Sequence, residues 1–79
     1  MNTQTNVLKT VISTIESKGY SINQDEPQNL TLKHDIGCDS LDAIEINMEL
    51  ETIYGLDLPE FADQTTIADV VAFIESSIS

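Results

Sequence analysis

Ser40 stands between Asp39 and Leu41 in the run "DIGCDSLDAIEINMELETIY", residues 35–54. A serine hydroxyl there can attack an ester or amide, cap a helix, or serve as the point where a second group is attached. Nucleophilic attack needs a base within hydrogen-bond reach and a third group that orients the base. The chain has one histidine, His34, six residues upstream in a loop. The surroundings read G-C-D-S-L, not the G-x-S-x-G elbow of a hydrolase, and the crowding carboxylates oppose an oxyanion. Capping is a common role for serine at a helix start, but Asp39 fills it equally well. An attached phosphodiester would face a helix N-terminus, whose free N–H groups favour anions, and its addition would need an external enzyme that recognises the adjacent helix. A metal site is not assigned: "DSLDAIEINMEL" lacks the alternating ligands and the glycine of a calcium loop. The single cysteine, Cys38, allows neither an internal disulfide nor a thiolate metal cluster, and reads as a small, partly buried thiol.

The elements that must position Ser40 are helical. No stretch shows the alternation of a strand, and there is no internal repeat. The first predicted helix runs from about Asn6 to Lys18, with Val7, Leu8, Val11, Ile12 and Ile15 on one stripe and Gly19 as its stop. Residues 20–38 form a long connection containing Pro27, for which Tyr20, Ile22, Leu30, Leu32 and Ile36 are the candidate pins. The second helix starts at Asp39 or Ser40 and ends at Tyr54, with Gly55 as its C-cap. "LDLPEFADQ" holds a turn at Pro59 and room for one short helical turn. The last helix follows Thr66, which with Asp69 makes a capping-box variant, and carries Ile67, Val70, Val71, Ile74 and Ile78 on its apolar stripe. The expectation is an all-α fold: a small three-to-four-helix bundle with a long first loop and a short third helix, a single domain over residues 1–79.

The second helix has two apolar faces. At about 100° per residue from Ser40, Ala43, Ile46, Leu50, Ile53 and Tyr54 cluster between about 220° and 320°, a core stripe. Leu41, Ile44 and Met48 form a second stripe between about 40° and 100°. Glu45 and Glu51 flank it; Asp42 and Glu49 lie between the two faces on the far side. The second stripe either packs under the long loop or the short third helix, or stays in water as an apolar patch with an acidic rim, the makings of a docking surface.

Composition bounds the partners. Fourteen acids face three bases, Lys9, Lys18 and Lys33, for a net charge of -11, and no Lys or Arg occurs from His34 to Ser79. Such a surface repels nucleic-acid and anionic-lipid phosphates and attracts basic protein patches. The N-terminus lacks the pattern of a signal peptide, and no apolar run approaches the roughly 20 residues of a membrane span. A reducing, cytoplasmic location is the simplest expectation.

"L-K-H-D-I-G-C-D-S-L-D-A-I-E-I" resembles the signature of acyl carrier proteins, in which an apolar residue and Asp-(Leu/Ile)-Gly precede Asp-Ser-Leu. "Y-G-L-D-L-P" and the tail "T-T-I-A-D-V-V-A-F-I" extend the likeness over nearly the whole chain. The resemblance implies 4′-phosphopantetheine joined to Ser40 through a phosphodiester by a phosphopantetheinyl transferase, with acyl groups held on its thiol. It implies docking of acyl-loading, condensing and modifying enzymes with basic patches onto Asp39, Leu41, Asp42, Ile44, Glu45, Met48 and Glu49. It implies a core between the helices that accepts the acyl chain, with Ile46, Asn47, Leu50, Ile67 and Val71 as pocket candidates. The protein would catalyse nothing itself, as a free-standing monomeric carrier for fatty-acid or polyketide-type biosynthesis. A peptidyl or aminoacyl carrier, or an unmodified acidic helical adaptor, are the alternatives. Three features depart from the family's pattern: the polar Asn47, read as a loop-bonded or solvated amide or as the wall of a more polar acyl pocket; the short Pro59–Thr66 segment; and Cys38 directly before the Asp-Ser-Leu.

Overall fold

The computed structural model describes residues 3–23 and 25–78. Its first helix, α1, spans Thr3–Glu16. Val7, Val11 and Ile15 recur every four residues and are fully buried, with Leu8 and Ile12 partly buried beside them. Burying three such side chains contributes about 1.5–3 kcal/mol each. The helix begins three residues before the expected Asn6 and ends two before Lys18. Lys18 N–H and Gly19 N–H then bond to the carbonyls of Ile15 and Glu16, and Gly19 takes the left-handed conformation at φ 99°.

The described parts of the connection, residues 20–23 and 25–38, are more ordered than their lack of periodicity predicts. They contain a 3₁₀ turn at Pro27–Asn29 and a π-helical turn at Leu32–Ile36. Thr31 and Asp35 close the second turn reciprocally: the threonine hydroxyl accepts from Asp35 N–H at 3.0 Å, and the carboxylate accepts from Thr31 N–H at 2.9 Å. Gly37, at φ 89°, lets the chain reverse so that Cys38 N–H reaches the Leu32 carbonyl. Leu32 is fully buried, and Tyr20, Ile22 and Ile36 pack partly buried on the core. Leu30 acts through its backbone instead, accepting from Ile67 N–H, while Leu32 N–H donates to the Thr65 carbonyl. These bonds frame a single antiparallel bridge, Thr31 to Thr66; the described residues contain no strand.

The second helix, α2, spans Ser40–Tyr54, with Asp39 as N-cap and Gly55 in the left-handed region as C-cap. Ala43, Ile46 and Leu50 are buried. Ile53 was expected in the same stripe but is 52% exposed; it lies at the stripe's edge, in the last turn of the helix. The third helix, α3, spans Ile67–Ile78 and buries Ile67, Val70, Val71 and Ile74. Thr66 and Asp69 form the expected box, each accepting the other's N–H at 3.1 Å. Ile78, expected on the buried stripe, is exposed in the final turn.

Between α2 and α3, reduction of the expected short helix goes past one helical turn: residues 57–65 contain only a turn at 63–64. Two α2 side chains one turn apart hold this segment. Asn47 Nδ2 donates to the Pro59 carbonyl at 2.7 Å, and Glu51 Oε2 accepts from Leu58 N–H at 2.7 Å. Leu58 and Phe61 are thereby seated in the core. The fold is a small helical bundle in which α1 packs chiefly on α3 and less on α2.

Leu32 belongs to the core although it lies outside the three α-helices. Leu32→Ala is therefore expected to cost about 2–5 kcal/mol, read from urea denaturation. A loss within about 0.5 kcal/mol, typical of a surface position, would show that the connection is merely draped over the helices.

Candidate attachment and docking site around Ser40

Ser40 is the first residue of α2 and is exposed. Asp39 does the capping: its carboxylate accepts from Asp42 N–H at 2.8 Å, and its carbonyl accepts from Ala43 N–H. The amides of Ser40 and Leu41 have no acceptor among the described residues, and neither does the Ser40 hydroxyl. His34 is exposed and no hydrogen bond joins it to Ser40. The serine is thus a presented hydroxyl beside two open helix N–H groups, with no general base bonded to it. Among the described residues no group of three or more His, Cys, Asp or Glu is arranged to hold a metal ion.

A groove of about 340 Å³ opens beside Ser40, between α2 and the 58–61 segment. Ala43, Ile44, Met48, Leu58 and Phe61 supply its apolar lining, with Asn47, Lys33 and Glu60 as further polar wall. Of the five pocket candidates, Asn47 alone lines it. Ile46 and Leu50 of α2 and Ile67 and Val71 of α3 are buried in the core, each at most 5% exposed. The residues missed from sequence are Leu58, Phe61 and Lys33; the apolar pair bracketing Pro59 in "LDLPEF" was the available signal for the first two.

The second apolar stripe stays in water. Leu41 is 64% exposed, Met48 59% and Ile44 50%. Neither the connection nor the 57–66 segment covers them, and Ile44 and Met48 also form one wall of the groove.

The acids around the stripe have different duties. Glu45 and Glu49 are exposed, yet both meet Lys18, at 3.6 and 2.7 Å. The hydrogen bond to Glu49 raises the Lys18 ammonium above its ordinary pKa. Asp42 is partly buried and accepts a hydrogen bond from the Tyr20 hydroxyl, tying the start of the connection to the first turn of α2. That bond, with burial adding to it, pushes the Tyr20 phenol up to about 12. Cys38 is buried behind this pair. Burial and the negative Asp42 and Asp39 push its thiol up, so it is protonated at neutral pH and a poor nucleophile.

A family model described as "Phosphopantetheine attachment site" matches residues 8–74. The chain is similar to the acyl carrier protein of Phytoplasma australiense, 40% identical over 60 residues that cover 68% of this chain and 79% of that protein. It is also similar to the acyl carrier protein of Prochlorococcus marinus (strain MIT 9515), 34% identical over 76 residues, covering 92% and 94% of the two chains. No solved structure matches.

The Tyr20–Asp42 bond has a pH signature. Neutral Tyr20 is favoured by the fold, so its contribution is fully present below the unfolded value of 10.0 and is lost as pH rises toward about 12. Spectrophotometric titration of the wild type should show one phenol ionising near 12, and Asp42→Asn should move it down toward 10. An unmoved titration in that variant would exclude the bond as the cause.

Proposed function

The chain belongs to the acyl carrier protein family, whose cofactor is covalently attached 4′-phosphopantetheine, and from this premise we propose that Ser40 is the attachment point and α2 the docking helix. The observation that carries the reading is the pairing of a free, exposed hydroxyl with an apolar groove that begins at the same residue. The site suits the group: a phosphodiester on Ser40 Oγ would sit by the open amides of Ser40 and Leu41, and the groove gives an apolar chain a place to lie. When attached, the arm supplies a thiol that holds acyl groups as thioesters. The chain's own part is to present and shelter the cargo, as a carrier and not a catalyst.

Docking is assigned to Leu41, Ile44 and Met48, with Asp39, Asp42, Glu45 and Glu49 around them. Exposed apolar residues inside an acidic rim favour partners with basic patches, the rim guiding approach and the apolar side chains holding contact. The partner classes are a phosphopantetheinyl transferase and the enzymes that load, condense and modify acyl groups in fatty-acid or polyketide-type biosynthesis. Support for a single carrier domain comes from the 94% of the Prochlorococcus protein that the match covers. No helix among the described residues is long and apolar enough to cross a membrane; cytoplasmic, monomeric service is part of the proposal.

Co-expression with a broad-specificity phosphopantetheinyl transferase, followed by intact-mass measurement, tests the attachment. The wild type should gain one arm and Ser40→Ala none; an unmodified wild type ends the proposal, and a modified Ser40→Ala moves the site. For docking, Met48→Asp and Glu49→Lys should each lower kcat/KM for arm transfer about tenfold, the effect of losing roughly 1.4 kcal/mol at an interface. The Lys18–Glu49 pair lies at the surface, where an ion pair adds little to stability, so circular dichroism should remain that of the wild type. Unchanged transfer kinetics in both variants would remove this face from the docking surface.

A further inference from the structure

Three lysines are the chain's entire Lys and Arg complement, and the fold gives each a different neighbourhood. Lys18 is engaged by Glu45 and Glu49. Lys9 lies on the exposed side of α1, on a shallow surface with Thr10, Ser13 and Ser17. Lys33 is half-buried and lines the groove with Ser40. It forms no ion pair among the described residues. Its nearest acid in sequence, Asp35, has its carboxylate turned to Thr31 N–H.

The backbone that carries Lys33 is fixed on both sides. Leu32 is buried and bonded to Thr65, the Thr31–Asp35 ring closes the π-helical turn, and Cys38 N–H returns to the Leu32 carbonyl. A cation on a fixed stretch of backbone therefore lines the groove, in a chain of net charge -11. Glu60 lines the same groove but makes no ion pair with Lys33, so the counter-charge that would use the lysine is the one added at Ser40. Attachment of the arm puts a further negative charge next to Asp39 and Asp42, whose repulsion the two open amides of the α2 N-terminus offset only in part. No other Lys or Arg lines that groove.

We infer that Lys33 is the phosphodiester-binding residue of this carrier: its ammonium pairs with the phosphate of the arm on Ser40 and holds the root of the arm over the groove. This rests on Ser40 being the attachment point. The phosphate is favoured over a carboxylate on a carried acyl group because it is bonded directly to a residue that lines the groove with Lys33, whereas the acyl group lies a whole arm further out.

The test is a cycle of four species: apo and holo forms of the wild type and of Lys33→Gln, each verified by intact mass and melted at low and at high salt. At low salt Lys33→Gln should lower the melting temperature of the holo form by about 2–5 °C more than that of the apo form, and high salt should abolish the difference. The phosphorus resonance of the holo protein should move with Lys33→Gln at low salt. Lys33→Arg should restore the coupling. Equal losses in apo and holo forms, or a difference that salt leaves intact, would assign Lys33 to packing of its stem and overturn the inference. A coupling that appears only when the arm bears a carboxylated acyl group would overturn it in favour of the cargo. A wild type that accepts no arm overturns the attachment reading as well, whereas a holo protein without coupling overturns the lysine's role alone.

Discussion

α2 has to bury one face and leave a second apolar face in water. Ala43, Ile46 and Leu50 are taken into the core, while Leu41, Ile44 and Met48 remain half exposed or more. A chain of this length has too little surface to bury for both faces to be covered. The apolar contacts that α2 forgoes must be made elsewhere, and they come from non-helical chain: Leu32 from the first connection, Leu58 and Phe61 from the second. The same arrangement that exposes the stripe therefore makes the loops part of the core.

Holding loops in a core requires their backbone polar groups to be satisfied. Here side chains do this where secondary structure does not. Thr31 and Asp35 close the π-helical turn, and Asn47 and Glu51 hold the backbone of Pro59 and Leu58. Among the acids that have partners, two kinds can be told apart. Glu16, Asp35, Asp39, Asp42, Glu51 and Asp69 accept hydrogen bonds that shape the backbone or anchor it. Glu45 and Glu49 meet only Lys18, in a surface pair that a basic partner can displace at little cost. An acidic composition alone does not distinguish a rim that steers partners from carboxylates already committed to the fold.

Asn47 shows how one residue serves both purposes. Its amide donates to Pro59, which realises the loop-bonded reading, and the same side chain lines the groove. The bond fixes the 58–61 segment against α2, and with it the width of the groove. The groove lies on the Ser40 side of α2, next to the exposed stripe, whereas Ile46, Leu50, Ile67 and Val71 are buried in the core.

Local pattern was enough for the three α-helices, because each has a 3.6-residue apolar stripe and its own punctuation: Gly19 and Gly55 at C-termini, Asp39 and the Thr66–Asp69 box at N-termini. The second apolar stripe of α2 was visible for the same reason, although only the packing of the loops decided that it stays in water. Ser40 stood out through its D-S-L-D-x-I-E surroundings, and its lack of a base through the single histidine. What only the tertiary structure decided depends on contacts between residues far apart in sequence. The stitching of Leu30 and Leu32 to Ile67 and Thr65, the capture of Lys18 by Glu45 and Glu49, and the meeting of Lys33, Ser40, Asn47 and Phe61 around one groove leave no periodic trace. They arise from which segments the packed core brings together, and a one-dimensional pattern records propensities of neighbours, not the closure of long loops.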